Sequence, residues 1–164
     1  MASSHAGHGH GAHGAHAGPS LNRLAFSATV HCLSGCATGE VLGMIIGTAA
    51  GFSDVGTVAI SVALAFFFGY LFTSLPLLRA GLALGAVIPL ALASDTISIT
   101  VMEIVDNAIM LVIPGAMDAG LDAAKFWLSL AFALLVAGAI AYPVNRWLLS
   151  RGKGHAVVME HHAH

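Results

Sequence analysis

Between Leu24 and Leu149 this chain is one apolar run after another, with polar interruptions short enough to be turns. Four stretches stand out: Leu24 to Ala50, Val55 to Leu75, Gly81 to Pro114 and Ala123 to Leu149. A helix needs about 20 mainly apolar residues to cross the hydrocarbon of a bilayer, and each stretch supplies them. Only 9% of the 164 residues are charged, against roughly a quarter in a soluble domain. The expected environment is therefore a lipid bilayer. Abundant glycine and few aromatic residues suit close-packed helices rather than a barrel. The expected fold is all-α: a polytopic membrane protein of four transmembrane helices over 21–152. A His-rich tail over 1–20, disordered when free of metal, precedes them, and a His-containing tail over 153–164 follows.

The stretch Gly81 to Pro114 is long for one straight crossing. Ser94, Asp95, Thr96, Ser98 and Thr100 interrupt it, and Pro89 adds a kink signal. One long helix, tilted or broken near Ser94, and two short spans both fit its length. Charge placement favours one. With four spans, Arg23, Arg79, Arg146, Arg151 and Lys153 share one side, Lys125 stands on the other, and Asp54, Asp118 and Asp122 lie opposite the basic side. The positive-inside rule then puts both termini in the cytoplasm. Asp54 is a candidate N-cap for the second helix. Pro76 and Arg79 close that helix, and Pro143 bends the end of the fourth. Trp127, Tyr142 and Trp147 are expected as interfacial anchors.

The first span carries two interleaved series. Every fourth residue from Ala28 is Cys32, Cys36, Glu40, Met44 and Thr48; a neighbouring series runs His31, Gly35, Gly39, Gly43, Gly47 and Gly51. Residues four apart on a helix lie one above the other. The glycine series is a zipper against which a second helix can pack backbone to backbone. The thiols alone could be small buried hydrophobes. Glu40 is harder to absorb, because an ionised carboxylate in hydrocarbon costs a few kcal/mol or more unless paired, neutralised or wet.

The third stretch repeats the theme. With Asp95 at zero angle on a helix, Ile99, Met102, Glu103, Asp106 and Met110 fall within about 100° of one another, and Asn107 sits at the margin. Capping of a broken helix, or hydrogen bonds to nearby Ser and Thr, would explain Asp95 but not two further acids on one turn. At this depth stand Glu40, Asp95, Glu103 and, at the margin, Asp106, yet no Lys or Arg; His31 is the one base, near the end of its span. These acids are either protonated at rest or hold or pass a cation.

Ligand softness points to the cation. Thiol and thioether favour Cu(I), with zinc or silver next, whereas carboxylates alone would suit harder ions. The candidate metal-contacting residues are His31, Cys32, Cys36, Glu40, Met44, Asp95, Met102, Glu103 and Asp106. His5, His8, His10, His13 and His16 in the first tail, and His155, His161, His162 and His164 in the last, suit capture of Cu or Zn. No phosphate-binding loop, serine-hydrolase elbow or HExxH motif occurs, so no enzyme is expected. No basic footprint calls for nucleic acid.

At HCLSGCATGEVLGMIIG (His31 to Gly47), SDTISITVMEIVDN (Ser94 to Asn107) and AYPVNRWLLSRGKGHAV (Ala141 to Val157) the chain resembles the small bacterial membrane proteins catalogued as domain of unknown function 4396. The resemblance covers the chain from about residue 22 onward. It implies a compact helical membrane domain, in a family whose members are sometimes labelled as copper-associated. A looser similarity, of chemistry only, is to trimeric copper-uptake channels, whose MxxxM motif is absent here.

The functional expectation is a transporter or channel for a soft transition-metal ion, Cu(I) first, passive or proton-linked. His31 would be a gate, Cys32 and Cys36 soft ligands, Met44 a relay, and the acids charge compensation. A homo-oligomer, a trimer by preference, would frame the pore, since four short helices enclose little volume. A metal-binding or redox-sensing subunit that moves nothing, and a proton conductor, are the alternatives.

Overall fold

A computed structural model of the chain describes residues 20–79 and 81–151. They form helices α1 (Leu21–Ala50), α2 (Asp54–Arg79), α3 (Leu84–Val112) and α4 (Ala124–Ser150), with no strand among the described residues. At about 1.5 Å per residue, helices of 26 to 30 residues reach about 39–45 Å, more than the roughly 30 Å hydrocarbon layer. All four are long and apolar enough to span a membrane. The two His-bearing tails, and Lys153, lie outside the described residues.

The ends of α1 show how local chemistry fixes the first hairpin. Ser20 caps its start, the side-chain oxygen accepting a hydrogen bond from the Arg23 amide at 3.4 Å. At the far end Gly51 turns left-handed (φ 69°), and the Phe52 amide donates back to the Gly47 carbonyl at 2.9 Å. That closure ends the helix abruptly, and glycine adopts it without steric cost. The next helix starts two residues later. Its cap is Ser53, not Asp54: the Gly56 amide donates to Ser53 Oγ (3.3 Å) and the Thr57 amide to the Ser53 carbonyl (2.8 Å). Asp54 instead occupies the first turn, where its charge faces the positive end of the helix dipole.

Helix α3 is continuous through Ser94, Asp95 and Thr96, which removes both the two-span and the broken-helix alternatives. The hydroxyls explain why the polar run is tolerated. Thr96 donates to the Leu92 carbonyl and Thr100 to the Thr96 carbonyl, each at 2.6 Å, so they bond within their own helix. Asp95 lies well inside the helix and caps nothing. The helix starts at Leu84 rather than Gly81, which has left-handed backbone (φ 89°), and it ends before Pro114.

The helices run alternately up and down. Helix α1 lies between α2 and α4, as α3 does, and α1 meets α3 across the centre of the bundle. The α1·α2 contact is the tightest, and the glycine series makes it so. A Cβ on Gly35 would lie 2.5 Å from the Gly69 Cα; on Gly39 it would strike the Ala65 backbone, on Gly43 Ser61, and on Gly47 Thr57. As α1 advances by four, α2 retreats by four. The partner series Thr57, Ser61, Ala65, Gly69 and Thr73 is buried along the whole of α2. Small residues on both helices thus bring two backbones into contact.

Polarity runs inside out relative to a water-soluble bundle. Phe26, Ile104, Leu128, Phe132 and Leu135 are exposed, while Glu40, Asp95, Glu103, Asp106 and Asn145 are buried. The outer surface therefore suits acyl chains, and the protein is membrane-embedded. Arg146 Nε donates to Asn22 Oδ1 at 2.8 Å, tying the start of α1 to the end of α4 at the basic face. At the opposite end Trp127 Nε1 donates to the Leu121 carbonyl at 2.8 Å. The Arg151 guanidinium lies 4.5 Å from the centre of the Trp147 ring. Indoles fixed in this way at both ends are suited to the headgroup region.

Candidate functional site

The thiol and acid series of α1 faces the acidic face of α3. Cys32, Cys36 and Glu40 on one helix, and Asp95, Glu103 and Asp106 on the other, are each at most 5% exposed. They meet as three pairs. The Cys32 sulfur stands 4.0 Å from Asp95 Oδ1. Cys36 lies against the Glu103 carboxyl, and Glu40 faces Asp106. The two helices run in the same direction, so the pairs follow one another along the bundle axis. From Cys32 to Glu40 the row rises about 12 Å.

The pairs differ in setting. Cys32 and Cys36 sit in a tightly packed cluster with Ala65, Ile99, Met102, Ala137 and Ala141. Met102 is therefore a third buried sulfur beside the two thiols, as its place on the α3 face suggested. Ser98, one turn beyond Asp95, sits beside Cys32, and Asn107 donates to the Glu103 carbonyl at 2.9 Å and to Glu103 Oε2 at 3.5 Å. Both Glu40 oxygens and Asp106 Oδ1 are buried and receive no hydrogen bond from any donor group among the described residues. What faces Glu40 is a second acid.

Below that pair, toward the α1–α2 and α3–α4 turns, a partly open cleft has about 30 Å³ of free volume. Glu40, Met44, Asp106, Asn107, Met110 and Met117 line it. That is room for about one or two water molecules. Met44 and Met110 take the places their series predicted. Met117 comes from the α3–α4 turn, where no periodicity could announce it.

His31 is not part of the row. Its ring is half exposed, with Nδ1 3.2 Å from the Ser27 carbonyl one turn back. It belongs to the glycine phase, which faces α2, rather than to the thiol phase, which faces α3. Among the described residues no three His, Cys, Asp or Glu side chains converge closely enough to hold a metal ion. The row is a file of two-residue stations, not a closed cage.

Resemblance to known proteins narrows the family and nothing further. A family profile described only as a domain of unknown function, DUF4396, matches residues 22–154. The chain belongs to that family. The DUF4396 match spans all four helices, and with them both halves of the thiol–acid row. No curated protein and no solved structure shows significant similarity to the chain. What a DUF4396 bundle of this kind does must be argued from its own side chains.

Proposed function

We propose that this protein moves a soft transition-metal cation, Cu(I) foremost, across the bacterial inner membrane along the α1–α3 row, with both termini in the cytoplasm. Zinc and silver ions are secondary cargoes. The observation that carries the reading is the set of three buried pairs, Cys32 with Asp95, Cys36 with Glu103 and Glu40 with Asp106, with no buried Lys or Arg among the described residues. Acids at that depth are either protonated or balanced by a cation, and on this reading a visiting metal ion supplies the balance. Sulfur at the first two stations selects a soft visitor, and a carboxyl beside each sulfur balances its charge.

The path runs inside one bundle, so a homo-oligomer, even a trimer, is not needed to frame it. Helices α1 and α3 supply the ligands, and the His-bearing tails would collect or hand on metal at the cytoplasmic face. The decisive experiment is flux of Cu(I), kept reduced, or of Ag(I), into sealed proteoliposomes. Parent protein is expected to transport either ion, and the Cys32→Ser, Cys36→Ser double variant to do so at least about tenfold more slowly. Stoichiometric binding without flux would make the protein a metal-binding or redox-sensing subunit instead.

A second reading has its own support. The thiols sit in a buried, mostly apolar cluster, and Glu40 faces Asp106 with no other donor among the described residues, an arrangement that a shared proton satisfies without extra room. On that reading the file conducts protons. Proton flux in a pH-jump assay that ignores both chelator and Cys32→Ser would establish it in place of metal transport.

A further inference from the structure

The cleft at the loop end brings together chemistry that the row above it lacks. Glu40 and Asp106 are 5% and 3% exposed, and both line it. Three thioethers, of Met44, Met110 and Met117, line it as well, contributed by α1, α3 and the α3–α4 turn. Among the described residues no donor group reaches either Glu40 oxygen or Asp106 Oδ1, and the two carboxyls face each other, so this space favours positive charge; the sulfurs favour a soft one. Apolar packing alone would explain methionines here, but not two carboxyls set against each other among them.

We propose that this cleft is a discrete binding site for one soft monovalent cation, Cu(I) or Ag(I), held by the three thioethers with Glu40 and Asp106 as counter-charge. Its role in passage rests on the transport reading above; its chemistry does not. Thioethers are neutral, so a single ionised carboxyl balances a monovalent ion while the second carries a proton. A divalent hard ion would prefer oxygen ligands throughout and would find too few. The free volume suits one ion and a water rather than a hydrated cluster. The site includes the Glu40–Asp106 pair and extends from it toward the turns, so it forms the outer station of the row, on the side away from the termini. Met117 belongs to a turn, and its place in the ligand set couples occupancy to the shape of the α3–α4 connection.

The test uses the full chain in detergent micelles, labelled with ¹³C at the methionine methyls and titrated with Ag(I) as the redox-stable probe. Met44, Met110 and Met117 methyl resonances are expected to shift together in one stoichiometric step, and Met102, packed among the cysteines, is not expected to join them. Met117→Leu lies outside the helices and nearly conserves volume, so the fold stays intact; it is expected to weaken the step about tenfold. Glu40→Gln is expected to abolish it. Three methyls that stay still while Ag(I) saturates the tails would overturn the proposal, as would an equal response to Zn(II) or indifference to both substitutions. Ag(I) flux in liposomes keeps the two readings apart. Shifting methyls without flux leave the site standing and remove transport; flux with unmoved methyls does the reverse.

Discussion

The sulfur of Cys32 stands 4.0 Å from Oδ1 of Asp95, across the seam between α1 and α3. That separation is at the outer limit for a thiol donating to a carboxylate. Metal bonds of about 2.3 Å to sulfur and about 2.1 Å to oxygen would span the same gap with an angle of about 130° at the metal. An ion bound at this station would therefore bridge the two helices at close to their present spacing. Asp95→Asn keeps the shape and removes the charge, and Ag(I) flux into proteoliposomes is expected to fall about tenfold. Asp122→Asn, exposed in the turn before α4, serves as the matched control and should leave flux unchanged. Equal rates for parent and Asp95→Asn would remove this station from the path.

The glycine zipper makes a prediction about stability alone. Gly39→Ala places a methyl in the Ala65 backbone, which neither helix can yield without separating. A loss of at least about 1–3 kcal/mol is expected, read as a lower midpoint in thermal or denaturant unfolding in detergent. A Cβ on Gly85, near the start of α3, meets nothing within 4 Å, so Gly85→Ala should be neutral or slightly stabilising. Similar midpoints for the two variants would mean that the α1–α2 contact is looser than the geometry here.

A buried polar link joins α1 to α4. Asn145 Nδ2 donates to Thr29 Oγ1 at 2.9 Å, and Thr29 Oγ1 donates to the Ala25 carbonyl at 2.8 Å. Hydrogen bonds between membrane helices contribute about 0.6 to 2 kcal/mol. A double-mutant cycle with Thr29→Val and Asn145→Leu is expected to return a coupling energy in that range.

Ser53 and Asp54 sit side by side with different tasks. Removal of the cap in Ser53→Ala is expected to cost about 1 kcal/mol. Asp54→Asn, which touches only the charge near the helix dipole, should cost about 0.3–1 kcal/mol. The reverse order would return the cap to Asp54.

Topology can be read by labelling single introduced cysteines with an impermeant maleimide on intact cells. Cys32 and Cys36 are buried and contribute little background. Asp118→Cys, in the α3–α4 turn, is expected to label from outside, and Ser150→Cys, at the basic end, only after the membrane is opened. Labelling of Ser150→Cys on intact cells would invert the orientation.

Much of this architecture was legible in the residues themselves. Four apolar runs of sufficient length give four helices because each helix satisfies its own backbone in lipid. The four-residue spacing of Cys32, Cys36 and Glu40, and the angular clustering of Asp95, Met102, Glu103 and Asp106, placed those side chains on inward faces because helical phase is set by sequence alone. Other features depended on partners that one helix cannot reveal. The Thr57 to Thr73 series on α2 looks like ordinary apolar sequence until the α1 glycines are laid against it. Thr96 and Thr100 read as breakers, yet in hydrocarbon their hydroxyls turn back on their own carbonyls and leave the helix whole. His31, expected as a gate at the mouth of its span, stands in the glycine series, and one residue on a helix is 100° of rotation, so it lies off the Cys32 row. Met117 reached the cleft only through the path of a turn.

The notched fit of α1 on α2 has a mechanical consequence. Four successive small-residue contacts, Gly35 on Gly69 through Gly47 on Thr57, bind the first two helices into a single stiff girder. A slip by one notch would carry one helix about 6 Å along the other. Helix α3 meets that girder through longer side chains such as Ile99 and Met102, which can change rotamer. Any opening of the seam would therefore fall to α3 and α4, carrying Asp95, Glu103 and Asp106 away from Cys32, Cys36 and Glu40 on a half that stays put.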